Sequence, residues 1–177
     1  KLLKSFICTI LYRLKELKWK DEGDHINDIS TLSPNEKIVS CVNISEFKQG
    51  VYVVILSKTG QIKRTPLYQF DVTKTNKPSK CFKLLQDDEV VSANVTCGNT
   101  KICILSDSGS ISTFDESEVK TVGIKAGGIK GIKLDKESKN VVGLVTLEPQ
   151  ERVNLIAVTG QKGVRIVDSN NLKETAR

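Results

Sequence analysis

The residues able to do chemistry are few, and their spacing argues against catalysis. His25 is the only histidine, so any Ser-His-Asp or Cys-His arrangement would have to use it. It lies in WKDEGDHI (19–26), beside Asp21, Glu22 and Asp24, with no nucleophile elbow nearby. Those acids crowd too closely for a dedicated acid/base pair, so a structural role for His25 is the better reading. Five cysteines (Cys8, Cys41, Cys81, Cys97 and Cys103) are scattered and odd in number. None forms a CxxC pair, which argues against a zinc site. Cys41, Cys81 and Cys103 sit in alternating apolar stretches and read as small buried hydrophobes of a reducing cytoplasm. GIKAGGIKGIKL (123–134) suggests a phosphate loop, yet a P-loop needs GxxxxGK[ST] between strand and helix. Here Gly127, Gly128 and Gly131 allow tight turns and close backbone approach, which leaves Lys125, Lys130 and Lys133 available to contact phosphates. No metal-ligand spacing and no cofactor fingerprint is present, so this chain is expected to be non-catalytic and to need no cofactor.

The cations are more informative. Net charge is +6 and the sequence pI is about 9.0. From Lys58 to Lys83 there are seven basic residues (Lys58, Lys63, Arg64, Lys74, Lys77, Lys80, Lys83) against one acid, Asp71. From Leu84 to Lys120 seven acids face two lysines. Such segregation points to an anionic partner more strongly than the total does. SKTGQIKRTPL (57–67) reads as a hairpin turn followed by an outward-facing basic pair, Lys63 and Arg64. The competing reading is a solvated strand face carrying charge for solubility or edge protection. TKTNKPSKCFK (73–83) is a basic loop whose lysines would repel one another without a counter-ion, and phosphate would supply one.

The elements that must position these cations repeat. YVVILSKTGQIKR (52–64) matches KICILSDSGSIST (101–113) and NLIAVTGQKGVRIV (154–167). Each is an alternating apolar strand, a polar turn carrying Gly60, Gly109 or Gly163, and a second strand. EKIVSCV (36–42), DEVVSANV (88–95) and KNVVGLV (139–145) recur in phase, and CFKL (81–84) matches GIKL (131–134). The basic pair returns partly, as Lys162 and Arg165, and is lost in the Asp107 copy. Alternation at period two predicts strands. A unit of about 50 residues with roughly four strands predicts a propeller-like blade that closes its core by stacking on neighbours. The chain is expected to be one all-β domain, 1–177, with blades at about 1–48, 49–98, 99–149 and a partial 150–177. No apolar run reaches the roughly 18 residues that span a bilayer. The start, KLLKSFICTILYRLKELKWK, is basic and apolar like a signal peptide but has no small-residue cleavage site.

LKWKDEGDHI (17–26), SKTGQIKRTPL, ESEVKTVGIKAGGIKGIKL (116–134) and the final VTGQKGVRIVDSNNLKETAR resemble the C-terminal domain of bacterial type IIA topoisomerase A subunits. The Trp-Lys-Asp-x-Gly-x-His stretch looks most like the topoisomerase IV protein (ParC type). No copy of the Gln-rich gyrase box is present, which favours topoisomerase IV over gyrase. The resemblance covers nearly the whole chain. It implies a β-pinwheel, a disc of blades that exchange strands, with duplex DNA bound and bent along a basic outer rim. On this reading the rim residues are Lys58, Lys63, Arg64, Lys74, Lys77, Lys80, Lys83, Lys125, Lys130, Lys133, Lys162 and Arg165. It implies as partners DNA, the rest of the ParC-type polypeptide and the ATPase polypeptide of topoisomerase IV, with ATP and Mg used by the parent complex and a cytoplasmic, nucleoid-associated location. The first unit departs from the pattern by lacking the Gly turn. Few aromatics are available to stack on bases, which disfavours single-strand or RNA recognition. The runner-up is a propeller-like protein-interaction scaffold with an incidental basic rim. A hydrolase with a site at the disc centre would need a polar cluster that the sequence does not show.

Overall fold

The computed structural model describes residues 8–9, 17–25, 28, 36–71, 79–134, 136–160 and 163–175. Its named elements are strands and short 3-10 turns. In order they are β1 (Cys8–Thr9), β2 (Tyr52–Ser57), β3 (Gln61–Pro66), β4 (Ser79–Lys80), β5 (Val90–Thr96) and β6 (Lys101–Ser106). There follow β7 (Ile111–Asp115), β8 (Ile129–Lys130), β9 (Val141–Leu147), β10 (Asn154–Val158) and β11 (Val164–Asp168).

Three antiparallel hairpins, β2–β3, β6–β7 and β10–β11, carry the repeat. Each turn is stapled by a hydroxyl at its first residue. Ser57 Oγ accepts the Gln61 N–H at 3.1 Å, Ser106 Oγ that of Ser110 at 3.0 Å, and Thr159 Oγ1 that of Gly163 at 3.0 Å. Gly60 and Gly109 take the left-handed position of their turns, at φ +85° and +91°. Gly163 lies in the equivalent turn but one residue further on, opposite the hydroxyl. Each hairpin ends in a 3-10 turn (Leu67–Phe70, Glu116–Glu118, Ser169–Asn171). Its first N–H closes back on the carbonyl preceding the hairpin: Leu67 on Val51, Glu116 on Thr100, Ser169 on Val153.

Neighbouring units exchange strands, as a β-pinwheel requires. The first complete sheet has the order β5-β2-β3-β8, and the second has β7-β6-β9. β5 belongs to the same unit as the β2–β3 hairpin, whereas β8 comes from the next unit and pairs with β3, as β4 pairs with β1. Alternation then assigns the faces. Val54, Leu56 and Ile62 of the first blade are fully buried and share a core with Ile102, Ile104 and Phe114 of the second. Burial of each such side chain contributes about 1.5–3 kcal/mol. Ile55, Phe70, Cys81, Phe82 and Val90 form a second core on the opposite face of the first blade.

One expected strand is absent. EKIVSCV (36–42), in phase with β5 and β9, forms no ladder, and Ile38 and Val39 are exposed. The difference lies in the partner. β5 and β9 become strands by pairing with the first strand of the preceding hairpin. Among the described residues, no such strand precedes 36–42. Cys41, expected in a core, is exposed for the same reason, whereas Cys81 and Cys103 are buried.

Candidate nucleic-acid interface

The sequence places Lys63 and Arg64 on an outer rim, and the structure corrects both placements. β3 has partners on each edge, β2 and β8, and neighbouring blades on each face. Neither face of the strand is therefore open to solvent. Lys63 is 1% exposed. Its ammonium donates to the carbonyl oxygens of Ile124 at 2.6 Å, Cys81 at 2.7 Å, Gly123 at 2.9 Å and Ala126 at 3.2 Å. The Phe82 ring lies 5.6 Å from the nitrogen. A buried charge is tolerated only when its donors are used, and here carbonyl dipoles from two chain segments surround it. Burial pushes its pKa down to about 8, and the Cys81 side chain opposes that shift. This lysine has no donor left for a phosphate. It ties the 123–126 loop to the segment just after β4, at Cys81.

Arg64 points to the other face and is also largely buried. Its guanidinium stacks over the Tyr52 ring at 4.7 Å and lies 3.7 Å from Glu116. Glu116 is fully buried and accepts the hydroxyl protons of Thr96 at 2.6 Å and Thr100 at 2.7 Å. The network joins the first hairpin to the second and is structural. Nothing in the amino-acid pattern signals it, because Thr96, Thr100 and Glu116 are commonplace surface residues until the packing of the two hairpins buries them.

The remaining cations divide. Lys58 is half-buried and held by Glu89 at 2.7 Å, whose hydrogen bond and charge raise its pKa. Lys80, Lys83, Lys125, Lys130, Lys133 and Arg165 are exposed. Lys74, Lys77 and Lys162 lie outside the described residues. Four of the exposed lysines belong to one edge of the first blade. The Lys83 N–H bonds to the Ala126 carbonyl at 3.1 Å, which sets Lys83 beside the loop carrying Lys125. Lys130 pairs with Gln61 on the outermost strand, β8, and Lys133 follows Gly131. Close approach explains the glycines. A Cβ on Gly128 would meet Phe82 Cζ at 2.8 Å and the Ile62 carbonyl at 2.9 Å. A shallow groove lined by Gln61, Phe82, Lys83, Gly127 and Gly128, among others, runs along this edge. The edge therefore carries four exposed lysines on backbone that a fifth, Lys63, ties together from within. Among the described residues no group of His, Cys, Asp and Glu could hold a metal ion, and no helix is long and apolar enough to cross a membrane.

The fold matches known proteins. The family model "DNA gyrase C-terminal domain, beta-propeller" matches residues 52–97 and 100–146. The A subunit of DNA topoisomerase 4 from Bacillus subtilis is 28% identical over 98% of this chain and 21% of its own length. Its Staphylococcus epidermidis counterpart is 28% identical over 94% of this chain and 20% of its own. The chain thus spans about a fifth of the length of these curated relatives. A crystal structure of the C-terminal domain of DNA topoisomerase IV superposes with a TM-score of 0.83 at 27% identity, covering 91% of this chain and 49% of that one. A DNA gyrase A C-terminal domain superposes at 0.75 with 22% identity, covering 89% of this chain and 50% of that one, and shares the fold.

Proposed function

The chain belongs to the DNA gyrase C-terminal domain β-propeller family, and on that premise we propose that it binds and bends duplex DNA as the accessory domain of a ParC-type topoisomerase IV protein. In that role it presents a DNA segment to a cleavage core elsewhere in a longer, cytoplasmic polypeptide that works with a separate ATPase polypeptide and uses ATP and Mg. The observation that carries the reading is the edge bearing Lys83, Lys125, Lys130 and Lys133. A rigid edge with spaced cations can follow a curved backbone and read phosphates rather than bases. Lys80 and Arg165 extend the exposed positive charge, and Lys74, Lys77 and Lys162 are proposed to add to it. Lys63 and Arg64 serve the path only by fixing its scaffold.

The test is a gel-shift titration with long and short duplexes across salt concentrations. Parent affinity should fall steeply with salt, and long duplex should bind better than short. Replacing Lys125, Lys130 and Lys133 by Ala should lower the salt slope by roughly 0.9 for each lost phosphate contact. Salt-independent binding, or a triple variant indistinguishable from the parent, would overturn the reading and favour a protein-binding scaffold.

A further inference from the structure

We propose that the charge of Lys63 sets how tightly the lysine-bearing edge holds duplex DNA, because its ammonium clamps the turn that carries Lys125. The inference rests on the DNA-binding reading above and gives a positioning role to a residue that does not touch DNA.

The clamp is built from the backbone of the turn. Residues 123–126 close on themselves, the Ala126 N–H donating to the Gly123 carbonyl at 3.0 Å. Lys125 lies between them and is exposed. The carbonyls of Gly123, Ile124 and Ala126 converge from this one turn on the Lys63 nitrogen, and Cys81 supplies the fourth. Two further bonds hold the turn. The Gln69 side-chain oxygen accepts the Ile124 N–H at 3.0 Å, and the Ala126 carbonyl accepts the Lys83 N–H at 3.1 Å. The Lys63 ammonium thus joins the backbone that carries two of the four cations of the edge, Lys83 and Lys125.

Only the charged form makes this clamp. An ammonium has three N–H donors and no acceptor, and all four carbonyl oxygens lie within 3.2 Å of it. A neutral amine has two donors and a lone pair. Deprotonation therefore leaves the buried carbonyls one donor fewer and sets a lone pair against them, which is costly without water. Among the described residues no carboxylate pairs with Lys63 to hold its proton. Ile55 faces it across the β2–β3 ladder, and Phe70, Phe82 and Val90 complete that core. Cys81 is the titratable side chain among them, and Lys80, Lys83 and Lys125 on the flanking segments are exposed. Burial brings the Lys63 pKa down to about 8, so about nine tenths of the molecules carry the charge at pH 7 and about one tenth at pH 9. A loosened turn still offers Lys125 to a phosphate, but binding must then order it. Affinity should fall by one factor at every salt concentration, with the number of phosphate contacts unchanged.

The test measures the affinity of the 177-residue chain for a long duplex at pH 7 and pH 9, each at several salt concentrations. Parent affinity should fall about fivefold at the higher pH, the low end of coupling between sites, with the same salt slope. Lys63→Met should bind at both pH values at least as weakly as the parent does at pH 9. Cys81→Ser should keep the parent's response. A flat pH profile in a parent whose affinity still falls steeply with salt overturns the clamp and leaves the DNA-binding reading standing, whereas salt-independent binding overturns both. A slope lower by roughly 0.9 at pH 9 would make Lys63 itself a phosphate contact, and a response lost in Cys81→Ser would belong to the thiol. Either result overturns the proposal. Should Lys63→Met not fold, NMR of labelled lysine side chains in the parent reads the same linkage. One ammonium should titrate at about 8 and move upward when duplex is added, because coupling is reciprocal. A midpoint that duplex leaves unmoved overturns the clamp.

Discussion

Replacing Lys63 by Met separates a scaffold lysine from a phosphate lysine. The substitution keeps the aliphatic stem and removes the ammonium, so four carbonyl oxygens lose a donor at 2.6–3.2 Å. Two of them retain other donors: Gly123 accepts from the Ala126 N–H, and Ala126 from the Lys83 N–H. The loss is heaviest at Ile124, whose contact is the shortest. A buried acceptor stripped of its donor costs about 1–3 kcal/mol. Removing a buried cation returns part of its desolvation penalty. The net expectation is a destabilisation of about 2–3 kcal/mol, read as a lower urea midpoint at constant m-value. The salt slope of DNA binding should not change, whereas Lys125→Ala should lower it by roughly 0.9. The pH dependence has a definite sign. The folded pKa of about 8 lies below the ordinary 10.5, so between those values the unfolded chain holds more protons. Parent stability should therefore rise with pH across that window, relative to Lys63→Met. A variant within about 0.5 kcal/mol of the parent that lowers the salt slope would refute the carbonyl cage and restore Lys63 to the rim.

Other expectations concern the joints between blades. Glu116→Ala leaves Arg64 without its carboxylate and the Thr96 and Thr100 hydroxyls without their acceptor. It should cost about 3 kcal/mol in thermal or urea unfolding, and a loss below about 1 kcal/mol would show that the network adds little. Gly60→Ala and Gly109→Ala impose the same backbone strain but differ in space. The new Cβ would meet Ile132 Cγ2 at 2.9 Å in the first case and nothing within 4 Å in the second. Unfolding should show Gly60→Ala to be the more damaging, and equal costs would show that strain alone decides.

The architecture is legible in the sequence because a repeat is self-checking. Three turns, three 3-10 closures and in-phase apolar pairs agree, and Gly60 and Gly109 fall in matching positions. Strand exchange itself is implied only by the family resemblance. Its consequences for individual side chains are not legible. Alternation along QIKRTP correctly sets Ile62 and Lys63 on opposite faces, but both faces of β3 are interior. A lysine at period two is therefore indistinguishable by pattern from a solvated one. The difference lies in segments 18 to 63 residues away, Cys81 and the 123–126 loop, whose carbonyls reach Lys63 only after the next unit has folded back. The aligned position in the second hairpin is Ser112, whose hydroxyl lies 3.4 Å from the Gly131 carbonyl. In the third it is Arg165, which is exposed. One repeat position thus serves as a buried pin, a small polar filler and a surface cation. Its role is set by which neighbour covers the blade, and that cannot be inferred from the residue type. The lysines of the GIKAGGIKGIKL loop are exposed as the sequence reading expects, but the glycines between them are required by Phe82, Ile62 and Ile104, neighbours that only the folded chain brings close.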